Sequence, residues 1–196
     1  MYINEQGWIV SDETDRQSNQ TIVHHPSPHF DQRESESNID LLVIHNISLP
    51  PGEFGTGYVH QLFEGTLDTR AHPWFVNVEG LKVSAHFLIE RDGRLTQFVS
   101  CLDRAWHAGQ SMFKTRHRCN DFSIGVELEG TDYVPYTDAQ YDTLARLTHA
   151  LRHAYPLQAV RGHCHIAPER KTDPGESFDW ARYARQANWA PHRLPE

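Results

Sequence analysis

The stretch Phe122-Ser123-Ile124-Gly125-Val126-Glu127-Leu128-Glu129 is the clearest strand pattern in this chain of 196 residues. Side chains alternate between the two faces of a strand, so apolar residues line one face while Glu127 and Glu129 share the other. Such a pair can supply a general base on a rigid strand, or it can lie on the solvated side of an antiparallel strand. Gly125 favours the first interpretation because it leaves room above the strand.

The pattern on either side of this strand predicts a mixture of strands and helices. Residues 39–46 are apolar on both faces, which is typical of a strand buried on two sides in a mixed or parallel sheet. The Asp-Gly pair at 92–93 predicts a hairpin between strands 83–90 and 94–99. A capping box at Thr137 predicts a helix with a leucine stripe that ends before Pro156. The remaining predicted elements are helices at 58–64 and 178–186, a strand at 157–162 and a loop at 162–168. We therefore expect a single domain of the α/β or α+β class.

Composition excludes some classes of partner. With 18 Lys and Arg against 26 Asp and Glu, the net charge is −8, so the chain has no basic field for nucleic acid or an anionic membrane. No apolar run approaches the length of a membrane span, and no apolar signal segment follows Met1. Three cysteines, an odd number without a CxxC pair, fit free thiols in a reducing compartment. These features predict a cytoplasmic protein.

Residues 11–38 are rich in polar side chains and lack helical or strand periodicity, so we predict an extended leader. The predicted organisation is a polar N-terminal leader at 1–26, packed on or extending from a folded domain at 27–190.

Histidine is unusually frequent, with 14 residues, and it is a common metal ligand and proton carrier. His149 and His153 have i, i+4 spacing, but they lie off the leucine stripe and fit a solvated helix face. His24 and His25 lie in the polar leader, where we expect them to be exposed.

Two other histidines lie where a sheet can bring them together. His45 ends the buried strand at 39–46, and His163 begins the loop after strand 157–162. With Asp173 they form a zinc-compatible set that leaves a fourth position for water. The alternatives without a metal are that His45 and His163 are structural histidines and that Asp173 caps a helix. If the loop is extended, His165 points the same way as His163 and is an equal candidate, while Cys164 points away as a buried thiol.

Four stretches closely resemble the zinc-dependent N-acetylmuramoyl-L-alanine amidases of type 2. This family also includes phage lysozyme-like amidases and peptidoglycan recognition proteins. The matching stretches are residues 45–55 (HNISLPPGEFG), 105–109 (AWHAG), 118–131 (RCNDFSIGVELEGT) and 162–175 (GHCHIAPERKTDPG). The resemblance runs from about Ser27 to Trp180 and implies a central mixed sheet flanked by helices.

The resemblance also implies roles for single residues. One Zn²⁺ per chain is implied, bound by His45, His163 and Asp173. Glu127, rather than Glu129, becomes the catalytic carboxylate, and Lys171 assists at the oxyanion. His165 becomes either a structural histidine or one that supports the metal ligands without binding the metal. The implied substrate contacts are Asn46, Lys82, Trp106 and Arg118, and Lys82 stands where the family leads us to expect Arg.

The function implied by the resemblance is hydrolysis of the amide between the lactyl group of 1,6-anhydro-N-acetylmuramic acid and L-alanine. The substrate is then a cytosolic anhydro-muropeptide, and the reaction serves peptidoglycan recycling with an indirect effect on β-lactamase induction. No nucleic acid, membrane or obligate protein partner is implied. Two alternatives remain open: a muropeptide-binding protein of the same fold without catalysis, and an amidase that acts on polymeric peptidoglycan.

Overall fold

The computed structural model describes residues 1–17, 21–34 and 38–195. Part of the predicted leader, residues 18–20 and 35–37, lies outside the described residues. The strands are β1 Tyr2–Ile3, β2 Ile9–Val10, β3 Ile22–His24, β4 Phe30–Gln32, β5 Leu41–Ile47, β6 Phe87–Ile89, β7 Leu95–Gln97, β8 Asp103–Ala105, β9 Met112–Phe113, β10 Arg116–His117, β11 Ser123–Glu129 and β12 Ala159–Gly162. The α-helices are α1 Glu13–Gln17, α2 Tyr58–Glu64, α3 Asp138–Ala154, α4 His163–Ile166 and α5 Trp180–Gln186, and 3₁₀ turns span Pro73–Val78, Cys119–Asp121 and Pro191–Arg193.

A mixed sheet of six strands organises the domain, in the order β12-β5-β11-β6-β7-β3. The strand β11 lies inside this sheet and runs parallel to both of its neighbours, β5 and β6. The predicted hairpin forms the antiparallel pair β6 and β7. The predicted single domain with a central mixed sheet flanked by helices is therefore confirmed.

The two faces of β11 contact different layers. Ile124, Val126 and Leu128 pack into the core cluster that includes Leu144 and Leu147 of α3. The capping box that predicts α3 is present, because Thr137 accepts a hydrogen bond from the Gln140 backbone N–H and the Gln140 side chain accepts one from the Thr137 N–H. The opposite face of the sheet carries the polar residues of β11, and a second apolar cluster, which includes Phe63 of α2, packs beside them.

Every residue of β11 is buried, so the alternative of two carboxylates on a solvated antiparallel strand is wrong. Parallel neighbours on both sides and layers on both faces explain the burial. The predicted room above Gly125 is filled, because a Cβ there would lie 2.4 Å from the imidazole of His107.

The leader carries more regular structure than its composition predicts. Glu13–Gln17 is helical, and Ile22–His24 pairs in parallel with β7 as an edge strand of the main sheet. The prediction of an extended leader is therefore wrong at the helix Glu13–Gln17. Ile22–His24 is extended, but it is a paired strand, because sheet pairing overrides weak local periodicity. The domain boundary at 26–27 stays a prediction.

A second correction concerns the predicted loop at 162–168. Its first four residues, His163–Ile166, form one helical turn, so His163 and His165 do not share a direction as an extended segment would require. Cys164 is half-buried rather than buried.

The exposures of the remaining histidines follow the predictions, since His149, His153, His24 and His25 are all exposed. Within the described ranges, no helix combines the length and the apolar character needed to cross a bilayer.

Candidate functional site

The sheet brings His45, His163 and Asp173 together on the face opposite α3. His45 lies on β5 directly across from Glu127 of β11. Gly162, the last residue of β12, pairs with Ile44, so His163 emerges beside His45. A backbone hydrogen bond of 2.9 Å from the Cys164 N–H to the Asp173 carbonyl holds the loop of Asp173 against the start of α4.

The three side chains form a compact group of potential metal ligands, called the ligand set below. The Nδ1 atoms of His45 and His163 are 3.0 Å apart, and Asp173 Oδ2 lies 3.0 Å and 3.2 Å from them, respectively. Ligands on a tetrahedral ion with bonds of about 2.0–2.1 Å lie about 3.3 Å from one another, so these separations fit a single small cation. The residues form one of two His and carboxylate clusters of this kind in the described chain.

The protonation states of His45 and Asp173 are also suited to metal binding. Burial lowers the pKa of His45 to about 4, against the opposing effect of its hydrogen bond with Asp173, so the imidazole is neutral at physiological pH. Burial alone would raise the pKa of Asp173, but hydrogen bonds with His163 and His45 outweigh it and hold the pKa below its ordinary value. A neutral imidazole at His45 and an ionised carboxylate at Asp173 are the forms that bind a cation.

The second nitrogens of both histidines are held by other groups. His163 Nε2 lies 3.0 Å from the Ala108 carbonyl, to which it donates when Nδ1 faces an ion. His45 Nε2 lies 2.9 Å from Nδ1 of His107, whose Nε2 lies 3.2 Å from Ser123 Oγ. Such partners fix the tautomer and the ring orientation of metal-binding histidines.

Two further polar side chains, His86 and Arg33, lie in the interior near His107 and contact β11. His86 Nδ1 accepts a hydrogen bond of 3.0 Å from the Gly125 N–H, and the Arg33 guanidinium donates to the backbone carbonyls of Cys101 and Ser123 at 3.2 Å and 2.7 Å. Burial lowers the pKa of Arg33 to about 10, so it stays charged at neutral pH. Sequence reasoning missed all three of these side chains as part of the site, although His107 lies within the AWHAG stretch.

Glu127 lies in the same cleft as the ligand set and is 8% exposed. Its Oε2 is buried and makes no hydrogen bond with any described residue. Burial raises its pKa well above the ordinary value, the nearby Asp173 raises it further, and Lys171 partly opposes both. A buried carboxylate with an unpaired oxygen is positioned to exchange a proton with a molecule bound in the cleft.

Glu129 serves a different purpose, although it lies on the same face of β11. Its Oε1 accepts a hydrogen bond of 2.6 Å from the Gly55 N–H, and its Oε2 accepts one of 3.3 Å from the Arg91 N–H. This carboxylate therefore holds the 48–57 loop and the hairpin rather than facing the cleft.

The cleft beside the ligand set has a volume of about 230 Å³. Asn46 lines it, with its amide donating to Asp132 Oδ1 at 2.8 Å. Lys171 also lines it and is half-buried. Trp106 forms part of the wall, anchored by a hydrogen bond of 3.1 Å from its indole N–H to Asp31 and by stacking on His29. The lining therefore combines polar side chains with aromatic rings, as ligand-binding clefts commonly do.

Three predicted residues lie outside this lining. Lys82 is exposed and lines a neighbouring depression of about 200 Å³. Arg118 is exposed and pairs with Asp121 at 3.2 Å and Glu34 at 3.8 Å. His165 is exposed, accepts a hydrogen bond from the Gly162 N–H and packs edge-on against Trp180, so it is not part of the cluster. Contacts of Lys82 or Arg118 with a ligand require a ligand that extends beyond the cleft.

The chain is similar in sequence and in fold to known amidases. Residues 35–176 match the N-acetylmuramoyl-L-alanine amidase family. The chain is 58% identical over 170 residues to the 1,6-anhydro-N-acetylmuramyl-L-alanine amidase AmpD of Citrobacter freundii, covering 86% of this chain and 91% of that protein. A crystal structure of a selenomethionine derivative of AmpD superposes with a TM-score of 0.85 at 53% identity, covering 95% and 99% of the two chains. The amidase AmiD of E. coli, in complex with its substrate anhydro-N-acetylmuramic acid-L-Ala-D-γ-Glu-L-Lys, superposes with a TM-score of 0.57 at 27% identity, covering 79% and 60%.

Proposed function

We propose that this chain, which belongs to the N-acetylmuramoyl-L-alanine amidase family, hydrolyses the amide between the lactyl group of 1,6-anhydro-N-acetylmuramic acid and L-alanine. The chain is an amidase, as its high identity with AmpD indicates. The observation that carries the specific proposal is the convergence of His45, His163 and Asp173 beside the unpaired oxygen of Glu127.

The proposed cofactor is one Zn²⁺ held by His45 Nδ1, His163 Nδ1 and Asp173. Two imidazoles and one carboxylate are a common set in catalytic zinc sites, and the candidate ligand atoms lie 3.0–3.2 Å apart, close to the separation around a tetrahedral ion. When bound there, zinc supplies a water of lowered pKa and polarises the substrate carbonyl.

The proposed roles of the protein side chains follow from their positions. Glu127 accepts the proton of the attacking water and then delivers it to the amine of L-alanine, which leaves poorly as an anion. A raised pKa suits this task, because the carboxyl group must hold the proton between the two events. Lys171, on the cleft wall, stabilises the negative charge that develops on the carbonyl oxygen.

Substrate contacts form the next part of the proposal. Asn46 is held by Asp132 and Trp106 by Asp31, so both present fixed groups to the sugar and the first residues of the peptide. Lys82 and Arg118 then meet carboxylates of a peptide stem that reaches past the cleft. The AmiD complex supports an anhydro-muropeptide as the ligand class.

Cytoplasmic turnover of soluble anhydro-muropeptides, as in cell-wall recycling, completes the proposal. All three cysteines are unpaired thiols, which fits a reducing compartment.

Mass spectrometry of reaction mixtures tests this proposal. The protein is incubated with anhydro-N-acetylmuramyl-tripeptide and, in parallel, with polymeric peptidoglycan, and Glu127→Gln serves as the matched control. We expect free tripeptide from the soluble substrate with the wild type and little with the variant. Binding without cleavage would instead identify a recognition protein, and preferential cleavage of the polymer would identify a wall-degrading amidase.

A further inference from the structure

A second group of potential metal ligands lies away from the cleft, between the end of β3 and helix α2. It consists of His25, His60 and Glu64, and we call it the α2 cluster. One ligand atom from each of these residues lies within 4.8 Å of the others. None of the three lines the cleft beside His45.

Local structure brings the three side chains together. His60 and Glu64 are four positions apart on α2 and so lie on one face of that helix. His25 follows β3, and its N–H donates to the Gln97 carbonyl at 3.0 Å, which fixes its backbone to the sheet. Its Nδ1 lies 2.6 Å from Glu64 Oε1. The two imidazoles meet edge to face with their centroids 5.4 Å apart.

The surroundings limit the freedom of the imidazoles. The buried ring of Phe98 lies 5.4 Å from the ring of His60 and 6.4 Å from that of His25. The exposed fractions of the side chains are 45% for His25, 26% for Glu64 and 18% for His60. The two more exposed side chains, His25 and Glu64, have the most freedom to rotate towards the separation of about 3.3 Å that a tetrahedral ion needs.

Charge around the cluster favours a cation. Glu90 is nearly buried, and its Oε1 lies 3.5 Å from Nε2 of His60. The guanidinium of Arg94 pairs with Glu90 at 2.5 Å and is the one cation in the described structure that contacts this carboxylate directly. When the imidazoles are neutral, the carboxylates of Glu64 and Glu90 and the guanidinium of Arg94 together carry a net charge of about −1. A net negative charge beside two imidazoles is an environment that a divalent ion stabilises.

We propose that the α2 cluster is a second metal site, which binds a divalent transition-metal ion such as Zn²⁺ through His25, His60 and Glu64. Two imidazoles and one carboxylate are the donor types that zinc prefers. The ion would join the end of β3 to α2. Leu62 and Phe63 of this helix line the cleft beside His45. The role of the ion is then structural, because no catalytic group of the proposed reaction lies within the cluster.

Zinc titration of the chelator-stripped full chain, followed by elemental analysis after equilibrium dialysis, tests this proposal. Wild-type protein is compared with Glu64→Gln and His60→Gln, and His153→Gln is the matched control because His153 is an exposed histidine on another helix. We expect the wild type and His153→Gln to bind one equivalent more than the two cluster variants. In those variants, affinity at the second site falls by at least about tenfold.

A thermal melt adds a readout that does not depend on counting ions. Zinc beyond the first equivalent should raise the Tm of the wild type and of His153→Gln, and it should leave the Tm of Glu64→Gln unchanged. If His60→Gln fails to fold, His25→Gln replaces it, since the side chain of His25 is 45% exposed.

Equal zinc binding by the wild type and Glu64→Gln would overturn the proposal, as would a second equivalent that survives in both cluster variants. The difference between wild type and variant is independent of how much zinc the His45 site takes. Failure of the second site is therefore distinguishable from failure of the proposed amidase mechanism.

Discussion

The contact between Gly125 and His107 predicts how the sheet supports the proposed metal ligand His45. A Cβ at position 125 would lie 2.4 Å from Cγ of His107, about 1 Å closer than an ordinary van der Waals contact. In Gly125→Ala the imidazole must therefore move by about that distance. The movement would break the hydrogen bond of 2.9 Å between His107 and His45, since such bonds fade beyond about 3.2 Å.

The size of the effect follows from this geometry. Overpacking of an interior costs about 1–3 kcal/mol, and loss of the hydrogen bond adds about 1 kcal/mol. Alanine in a strand recovers about 0.5–1 kcal/mol relative to glycine. The net loss is about 1–3 kcal/mol, which lowers the urea midpoint by about 0.5–1.5 M for an m value of about 2 kcal/mol/M. Zinc affinity should also fall by about 10–100-fold, because His45 loses the partner that orients it.

The assay is a double-mutant cycle with His107→Ala, followed by urea unfolding of chelator-treated protein. In the His107→Ala background the methyl group introduced at position 125 meets no imidazole. Gly125→Ala should then be neutral or should stabilise the protein by up to about 1 kcal/mol. The sign of the effect thus depends on residue 107. An equal loss of stability in both backgrounds would refute the proposed contact and the support that it gives to His45.

Other changes have equally definite outcomes. Glu127→Gln should retain zinc by elemental analysis and lose about 10²–10⁴-fold in kcat in a peptide-release assay, and near wild-type turnover would remove Glu127 from the mechanism. In metal-free protein, burial raises the pKa of Glu127 above the value it has in the unfolded chain. The folded state therefore favours the protonated carboxyl group, and this contribution to stability is complete below the unfolded pKa and is lost as the pH rises towards the folded pKa. Glu127→Gln should therefore be more stable than the wild type at about pH 7, and urea midpoints should converge near pH 4; a gain that does not vary with pH would contradict this. Thr137→Ala removes the cap of α3 and should cost about 1 kcal/mol in urea unfolding without changing kcat, whereas an unchanged midpoint would show that the cap contributes nothing. Lys82→Ala should raise KM for a tripeptide substrate and leave kcat unchanged, while Lys82→Arg should retain binding; a loss of kcat in Lys82→Ala would place this exposed side chain in the chemistry instead.

Much of the fold could be predicted because its strongest patterns are local. The helix α3 follows from a capping box and a leucine stripe, and α2 ends at Gly65, which adopts the left-handed conformation that glycine permits. The hairpin follows from the Asp-Gly pair. The edge strand Ile22–His24 could not be predicted, because its structure depends on pairing with β7, more than 70 residues away.

The candidate site also contains residues that could be predicted from the sequence and residues that could not. His45 and His163 could be proposed because His45 lies near the end of one recognisable strand and His163 directly follows another, and a sheet brings strand ends together. His107, His86 and Arg33 were not foreseen, because each acts through contacts that are distant in sequence, such as the 2.9 Å approach of His107 to His45. Gly125 indicated room above the strand, but the sequence could not tell that the imidazole of His107 fills it.

Titration of activity against bound zinc tests the central claim most directly. Chelator-stripped Glu64→Gln, which lacks a ligand of the proposed second site, receives zinc in steps while the release of tripeptide from anhydro-N-acetylmuramyl-tripeptide is measured. The account predicts no release without zinc and a linear rise that ends at one equivalent per chain. Full activity in stripped, zinc-free protein would contradict it, as would no activity after one equivalent is bound.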